Sequence, residues 1–357
     1  MVIAHEWVTL TGGSDKTAAA MVRALPGARV VTAVADPRSV ADIFPDSPVE
    51  TLWTNDLPGA QRHWRRYSPA LVLAWSLFDA GDADVLISNC HFATRAAAYR
   101  FHGPHLCYCY TPMRVAWRPD LELERLPSSV RPVVNSILPV VRAWDRRTAR
   151  GVTAFAGISS AVVDRIRHAY GRDAERIFPP VDLPPFLASP RRPPFDYFLA
   201  FGRLIPYKRF DLAIRACTEA GLPLVIAGSG PDEARLRAMA GPTVRFLGQV
   251  DAATYLDLLS GAMAVLFPGE EDFGIIPVEA QAAGCPVVAL GRGGSLDTVS
   301  DGETGVLFPD PTVASLREGI DAVMARSWDE SVLRRWASQF SEQRFIRELQ
   351  AFVATHS

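Results

Sequence analysis

The stretch Ala264–Gly284, AVLFPGEEDFGIIPVEAQAAG, decides how this chain folds. Its first four residues are a short apolar run that predicts a buried strand, which Pro268 and Gly269 end. Pro277 suits the first position of a helix, and Gly284 stops that helix. A buried strand, a loop and a helix in this order are the repeating unit of a parallel α/β sheet.

Two glutamates flank the loop and the start of the helix in this stretch. Glu271 is expected in the loop that leaves the strand, and Glu279 on the first turn of the helix. Both carboxylates should face the crevice at the carboxyl ends of the strands, where such sheets bind ligands. They would accept hydrogen bonds from hydroxyl pairs such as those of ribose or a hexose. Alternatively, both are ordinary acidic residues near a helix N-terminus.

Length and composition limit the classes of protein that fit. The 357 residues are enough for two ordinary domains rather than one. Hydrophobic residues make up 48% and charged residues 21%, which is a globular rather than a disordered composition. The formal net charge of −2 argues against a nucleic-acid binder, which usually carries a basic excess.

Apolar strands alternate with helical stretches along the whole chain, which predicts α/β architecture with parallel sheets. Each strand of the second half ends at a glycine or proline, where the ligand loops of a doubly wound domain belong. The clearest predicted strands are Val2–His5, Ala28–Val34, Asp84–Ser88, Leu106–Tyr110, Thr153–Ile158, Tyr197–Phe201, Leu224–Ala227, Val244–Leu247, Ala264–Phe267 and Val287–Leu290.

A cluster of seven prolines between residues 179 and 195 interrupts this alternation. Prolines at this density continue neither a helix nor an interior strand, so we expect the domain boundary there. The predicted division is residues 1–180 as a first domain, 181–195 as a linker, and 196–340 as a second domain. Residues 341–357 are predicted to be a final helix that crosses back to the first domain.

Two cations follow the first strand of the second domain. Arg203 and Lys208 lie on the loop between strand Tyr197–Phe201 and a helix that begins near Phe210. A helix N-terminus with two fixed cations is suited to a diphosphate, although both side chains could simply be solvated. Further along, the backbone at Gly248 could meet the edge of a nucleobase.

The first domain offers a glycine pair after its opening strand. Gly12 and Gly13 lead into a helix, and their amide groups are predicted to be free to face a phosphate. The same pair would also serve as a tight turn from strand to helix, and the pattern does not separate the two roles.

Taken in sequence order, these motifs resemble glycosyltransferase family 4, whose members are retaining enzymes of the GT-B fold. The runs FPGEEDFGIIPVEAQAAG (267–284) and YTPMRVAW (110–117) are similar to a bacterial polysaccharide branch that contains many mannosyltransferases. The resemblance extends over nearly the whole chain. It implies α/β architecture with two Rossmann-like doubly wound domains facing each other across a cleft.

The resemblance also implies a reaction and its residues. The protein would move a sugar from a nucleotide-diphosphate donor, GDP-mannose being favoured over a UDP-sugar, to an acceptor hydroxyl. Arg203 and Lys208 would hold the diphosphate, Glu279 the ribose hydroxyls, and Glu271 the hydroxyls of the transferred sugar. Backbone groups of the donor site would come from Gly12, Gly13, Gly248, Phe273 and Gly274.

The chain departs from this branch at Tyr110, where the branch usually has a histidine near the transferred sugar. A tyrosine hydroxyl can also donate a hydrogen bond, but from a bulkier side chain. Asp15 stands where the branch commonly has glutamate. Together with His91 and Arg114, it is a candidate for the acceptor side of the site. His91 follows a predicted strand and could equally be a structural hydrogen-bonding residue.

The sequence also bears on cofactors, on the cellular compartment and on contact with a membrane. We expect no metal or other cofactor, because two cations can neutralise the leaving diphosphate. Five cysteines without a Cys-x-x-Cys pair, and a first strand at Val2, favour a reduced cytoplasmic protein. The basic segments 62–67 and 131–150 are either solvated helix faces or contacts with an anionic membrane. The acceptor would then be lipid-linked rather than a free glycan or small molecule.

Two further functions compete with this interpretation. A nucleotide-sugar-binding partner subunit without catalysis would explain the departure at Tyr110. A nicotinamide-dependent oxidoreductase is disfavoured, because no Gly-x-Gly-x-x-Gly follows the first strand of either domain.

Overall fold

The computed structural model describes residues 1–9, 12–119 and 131–357. These residues divide into two compact units, one of residues 1–180 with 342–357 and one of residues 181–341. The first unit therefore contains the final helix, Glu342–His356. Its Gln350 side chain donates to the Ala24 carbonyl at 2.8 Å, and the ring of Phe345 lies 5.6 Å from the ring of Tyr108.

The N-terminal unit is built on a parallel sheet. In its described residues the sheet has seven strands in the order β3-β2-β1-β4-β5-β6-β7. The strands are β1 (Val2–His5), β2 (Arg29–Thr32), β3 (Val49–Thr51), β4 (Leu86–Cys90), β5 (His105–Cys109), β6 (Ala154–Gly157) and β7 (Glu175–Arg176). The α-helices are Gly13–Ala24, Pro37–Ile43, Ala60–His63, Ser68–Leu77, Arg114–Trp117, Arg131–Arg150, Ser160–Tyr170 and Glu342–His356.

The C-terminal unit has a second parallel sheet, of six strands in the order β10-β9-β8-β11-β12-β13. The strands are β8 (Phe198–Phe201), β9 (Leu224–Ala227), β10 (Val244–Gly248), β11 (Ala264–Phe267), β12 (Val287–Leu290) and β13 (Gly305–Phe308). The α-helices are Pro184–Leu187, Phe210–Glu219, Glu233–Ala238, Ala252–Gly261, Ile275–Ala282, Ser295–Thr298, Val313–Met324 and Glu330–Ser338.

Burial explains which apolar runs become central strands. Strands β9, β11 and β12 are buried along their whole length, because helices cover both faces of a parallel sheet. The edge strand β10 instead alternates between partly buried and exposed residues.

The proline-rich residues 181–195 fold with the C-terminal unit rather than standing apart as a separate linker. Arg191 holds this segment in place, since its guanidinium donates to the carbonyls of Leu259, Ser260 and Ala262. Within the part of the chain that the structure describes, no helix is both long and apolar enough to cross a bilayer.

Candidate functional site

The strand order of the C-terminal unit defines where a ligand would bind. Chain order runs outward from β8 to β10 on one side, and from β11 to β13 on the other. Ligands of doubly wound sheets bind at the carboxyl ends of the strands where this direction reverses. Here the reversal falls between β8 and β11, so the loops that leave these two strands flank the predicted crevice.

An ion pair joins the two loops at this point. Lys208 Nζ, on the loop after β8, lies 2.8 Å from Glu271 Oε1, on the loop after β11. The two side chains are only 15% and 21% exposed, so water screens their attraction less than at an open surface. The structure therefore brings together two residues predicted to bind different parts of one donor.

The other predicted cation, Arg203, is exposed on the same loop. At the end of the loop, Arg209 adopts a left-handed backbone with φ of 55°. Its guanidinium makes two hydrogen bonds with Asp211, at 3.0 and 3.1 Å. A non-glycine residue in this conformation costs free energy and is enriched at functional sites. The strained turn directs the chain into the helix Phe210–Glu219.

Glycines let neighbouring loops of the crevice approach each other closely. A Cβ atom on Gly228 would lie 1.9 Å from the Gly202 carbonyl oxygen, and one on Gly294 would lie 2.1 Å from that of Phe273. Direct hydrogen bonds follow from this approach, such as the bond from the Gly294 amide to the Glu271 carbonyl at 2.8 Å. These glycines thus fix the loops on which Lys208 and Glu271 lie.

The buried tyrosine Tyr255 orients the carboxylate of Glu279. The Tyr255 hydroxyl donates to Glu279 Oε2 at 3.0 Å, and its ring stacks on Phe201 with 3.8 Å between centroids. Burial, and then the neighbouring Glu279 carboxylate, raise the pKa of Tyr255 well above its ordinary value. The phenol therefore stays protonated and orients one carboxylate oxygen.

The helix that carries Glu279 begins earlier than predicted. It spans Ile275–Ala282, so Pro277 is its third residue rather than its first, and Glu279 lies on its second turn. The left-handed Gly274, with φ of 91°, starts the helix two residues before the proline. Proline has no N–H to donate, and the third position of a helix needs none.

The remaining predicted donor residues of this unit also lie at the carboxyl edge of the sheet. Phe273 is buried, and its ring lies 5.7 Å from that of Phe340. Gly248 ends β10, and its carbonyl accepts from the Gly228 amide at 2.6 Å. This carbonyl is therefore engaged within the protein.

The N-terminal unit has its own reversal of strand order, between β1 and β4. Three buried polar side chains meet there: His5, Asp15 and Asn89. His5 Nε2 lies 2.8 Å from Asp15 Oδ1, and the Asn89 amide nitrogen lies 3.1 Å from His5 Nδ1. The Asn89 amide donates to Nδ1, which leaves the Nε2 proton for Asp15.

This cluster corrects the prediction for the glycine pair. The Gly12 amide is not free, because it donates to Asp15 Oδ2 at 2.9 Å and so caps the helix that begins at Gly13. With its two oxygens bonded to His5 and Gly12, Asp15 is part of the loop's support. Its direct contact with an acceptor stays a prediction. Thr11, which precedes this pair, lies outside the described residues.

Tyr110, His91 and Arg114 lie close to this cluster. The Tyr110 hydroxyl donates to the Ser14 carbonyl at 3.1 Å, and burial raises the pKa of this tyrosine. The His91 ring packs edge-on against Tyr110 and Trp7. Burial lowers the pKa of His91; the Glu6 carboxylate opposes this shift, and His5 and Arg114 add to it. His91 is thus held neutral.

Sequence reasoning missed four residues of these sites: His5, Glu6 and Asn89 in the first unit and Tyr255 in the second. The first three lie at or next to the ends of buried strands, so a search for polar residues at strand ends could have found them. Glu6 is 1% exposed and accepts from the amides of Phe92, Ala93 and Thr94. It therefore ties the loop after β4 to the end of β1.

Comparison with known families concerns mainly the C-terminal unit, where residues 188–339 match the model described as "Glycosyl transferases group 1". The chain is similar to the phosphatidyl-myo-inositol mannosyltransferase of Mycobacterium leprae, with 42% identity over 106 residues and 28% of each chain covered. It is also similar to the D-inositol 3-phosphate glycosyltransferase of Acidothermus cellulolyticus, with 30% identity over 296 residues. That match covers 73% of this chain and 63% of the relative. The chain thus spans less than two thirds of the length of these curated relatives.

Solved structures match along nearly the whole chain. The structure of Anabaena HepE with UDP and glucose gives a TM-score of 0.71 at 17% identity, with 99% of both chains covered. Sucrose-phosphate synthase from Thermosynechococcus elongatus gives 0.72 at 17% identity, with 99% of this chain and 98% of the other covered. At such identities the likeness shows the fold alone. It confirms the predicted α/β, GT-B fold class with two Rossmann-like sheets.

Proposed function

Residues 188–339 belong to the glycosyl transferases group 1 family, and on this premise we propose that the protein is a retaining glycosyltransferase. It would transfer a sugar from a nucleotide-diphosphate donor to an acceptor hydroxyl. The observation that carries the proposal is the Lys208–Glu271 ion pair at the reversal of strand order in the C-terminal unit. A cation and an acid held at this point suit a ligand that has both a diphosphate and sugar hydroxyls.

On donor binding, the diphosphate would replace Glu271 as the partner of Lys208. The diphosphate carries more negative charge than the single Glu271 carboxylate, so the ammonium would move to it, together with Arg203. Glu271 would then be released to accept hydrogen bonds from hydroxyls of the sugar. Glu279, oriented by Tyr255, would accept from the ribose hydroxyls.

The same cations would assist the chemical step. The bond between the anomeric carbon and the diphosphate oxygen breaks while positive charge grows on the sugar and negative charge on the leaving group. Arg203, Lys208 and backbone amides near Gly274 would stabilise that negative charge. The acceptor oxygen would form the new bond to the anomeric carbon, and the leaving phosphate would accept the proton of that hydroxyl. We expect this to proceed without a metal ion, since two fixed cations are already in place.

The donor is proposed to be GDP-mannose, with a UDP-sugar as the alternative. The similarity to a mannosyltransferase of M. leprae supports the first. The structural likeness to HepE, solved with UDP and glucose, keeps the second open. Thermal shift of the purified protein with a panel of nucleotide sugars decides between them, because the true donor raises the melting temperature at lower concentration.

We propose a cytoplasmic enzyme whose acceptor is a glycan, a small molecule or a lipid-linked sugar at the membrane. Helix Arg131–Arg150 supports membrane contact, because Val133, Ile137 and Val140 are 64%, 50% and 70% exposed. These residues recur at helical spacing, and Arg147 and Arg150 follow on the same helix, as in interfacial helices. Vesicle flotation tests this: binding to anionic but not neutral vesicles is expected, and equal recovery with both would contradict it.

A non-catalytic nucleotide-sugar-binding subunit is the second candidate function. It is favoured by Tyr110, whose hydroxyl is bonded to the Ser14 carbonyl instead of being available to a sugar. A protein of this kind would bind the donor without transferring its sugar. In that case Tyr110→His would leave the affinity for the donor nearly unchanged.

The deciding experiment measures sugar transfer and donor binding by the purified full chain. Arg203→Ala and Lys208→Ala should each weaken donor binding and transfer by about tenfold or more, because each removes a charge-assisted contact. Arg237→Ala is the matched control, since this arginine is half exposed and pairs with Glu233 on a helix surface. Donor binding that both substitutions leave unchanged would overturn the proposal. Binding without transfer to any acceptor would favour the second candidate.

A further inference from the structure

The C-terminal unit contains a cavity of about 590 Å³ that the proposed reaction does not use. The turn before β13 and the connection between helices Val313–Met324 and Glu330–Ser338 line it. The turn precedes a parallel strand, so the cavity lies at the amino edge of the sheet. The Lys208–Glu271 pair lies at the carboxyl edge, which makes the two sites distinct.

Two tryptophans give this cavity fixed aromatic surfaces. The indole N–H of Trp336 donates to the Thr298 carbonyl at 2.9 Å, and that of Trp328 to the Val323 carbonyl at 3.0 Å. Both side chains are partly exposed in the lining. Because the polar atom of each ring is bonded to the backbone, what remains for a ligand is the apolar ring surface.

The charged groups of the lining balance one another. Arg326 and Arg335 contribute two positive charges, and Glu303 and Asp329 contribute two negative ones. The Arg326 guanidinium extends over the turn at Gly302, where an added Cβ would lie 3.2 Å from its Nη1. The lining thus offers hydrogen-bond donors and acceptors without a net attraction for anions.

Aromatic surfaces combined with balanced donors and acceptors match the chemistry of an uncharged sugar. The C–H groups of a pyranose ring pack on the electron-rich face of an indole, and its hydroxyls both donate and accept hydrogen bonds. The volume is within the range of ordinary ligand sites. We propose that this cavity binds a neutral oligosaccharide and anchors a glycan chain away from the reaction site. This binding does not require the transferase reaction.

The test titrates the full chain with maltotetraose and with α-1,6-mannotetraose, followed by calorimetry and saturation-transfer NMR. At least one of the two should bind. Trp336→Ala should weaken that binding about tenfold, as should Arg326→Ala combined with Arg335→Ala, corresponding to about 1.4 kcal/mol. Trp53→Ala is the matched control, because this tryptophan is 47% exposed and belongs to the other unit.

The possible outcomes separate this inference from the proposed reaction. Donor binding should be unchanged in all these variants, since none of the residues lies at the carboxyl edge of the sheet. The double arginine variant keeps the test valid if Trp336→Ala fails to fold, because both arginines are exposed. The inference is overturned if neither tetrasaccharide binds, if the variants bind as well as the parent, or if inorganic pyrophosphate displaces the bound sugar.

Discussion

Lys208 Nζ lies 2.8 Å from Glu271 Oε1, so the cation expected to bind a diphosphate is paired with the acid expected to bind a sugar. Under the proposed function, a ligand that carries both a diphosphate and sugar hydroxyls would separate the pair. This pairing keeps two partly buried charges compensated, which avoids the cost of leaving either one unpaired.

Replacing the acid should therefore improve binding of an anion. We expect Glu271→Gln to raise the affinity for inorganic pyrophosphate by about fivefold to tenfold, because Lys208 no longer has to leave a carboxylate. The same change should lower sugar transfer, since a contact with the sugar is lost. Calorimetry with pyrophosphate, alongside a transfer assay, measures both effects. Glu219→Gln, an equal change of charge at an exposed helix end, should do neither; a fall in pyrophosphate affinity in Glu271→Gln would contradict the exchange.

The Tyr255 hydroxyl should matter for donor affinity rather than for stability. Tyr255→Phe keeps the ring stacked on Phe201 and removes only the hydrogen bond to Glu279, so we expect the donor KM to rise about fivefold with kcat nearly unchanged. Steady-state kinetics with varied donor concentration checks this. Tyr197→Phe loses a comparable bond, to the Leu258 carbonyl, and should leave KM unaltered. A KM that does not change in Tyr255→Phe would remove the positioning role.

The loops that contain Gly202 and Gly228 approach each other closely, so replacing Gly228 should destabilise the fold. Gly228 has φ of +132°, and a Cβ there would lie 1.9 Å from the Gly202 carbonyl oxygen. Gly228→Ala must displace the loop that leads to Lys208, so we expect a loss of roughly 3 kcal/mol or more in the free energy of unfolding. Gly221→Ala provides the control, since this residue also has positive φ but nothing lies within 4 Å of an added Cβ. Its cost should be about 1 kcal/mol, as for an L-residue placed in the left-handed region. Equal denaturation midpoints for the two variants would refute the steric explanation.

His105 should make the protein sensitive to acid. Burial lowers the pKa of this histidine from its ordinary value of 6.5 to about 3, and its Nε2 lies 2.9 Å from the Ser88 hydroxyl. As pH falls from 6.5 towards 3, the unfolded chain binds a proton here that the folded chain does not. Stability is therefore lost on acidification, by up to about 1.4 kcal/mol per pH unit for this site.

Urea denaturation at several pH values in that window measures this loss. His105→Gln should flatten the dependence of the free energy of unfolding on pH, because glutamine cannot take up the proton. His102→Gln, at an exposed position three residues earlier, should leave the dependence as it is. Identical slopes for His105→Gln and the parent would show that another group is responsible.

The sequence predicted most of the fold, because central strands of parallel sheets are apolar along their whole length. The predicted bounds of Val2–His5, Leu224–Ala227, Ala264–Phe267 and Val287–Leu290 agree with the structure. Strands at or near the sheet edges, β3, β7 and β13, were not predicted. β3 and β7 have three and two residues and bury little, so their pattern of apolar residues is weak. β13, GVLF, has four residues like the predicted strands and is fully buried only at its two ends. Residues 188–339 also match the model described as "Glycosyl transferases group 1", in agreement with the predicted resemblance to glycosyltransferases.

The site was predicted less completely than the fold. Motif order identified Arg203, Lys208 and Glu271, but the direct pairing of Lys208 with Glu271 depends on strand order, which one sequence does not display. Tyr255 was missed for a similar reason. It lies on a helix 24 residues before Glu279, and only packing against Phe201 brings its hydroxyl to that carboxylate. The assigned roles of these residues stay predictions.

The burial of all five cysteines allows dyes to be attached selectively at introduced cysteines. Cys90, Cys107, Cys109, Cys217 and Cys285 are all buried as free thiols. Burial raises the pKa of Cys107 and Cys217 to about 12 and that of Cys285 to about 11, so little reactive thiolate exists at neutral pH. A single cysteine introduced on the surface of each unit should accept a maleimide dye without removal of any native residue. Energy transfer between two such dyes would then report, molecule by molecule, whether nucleotide sugars change the distance between the units.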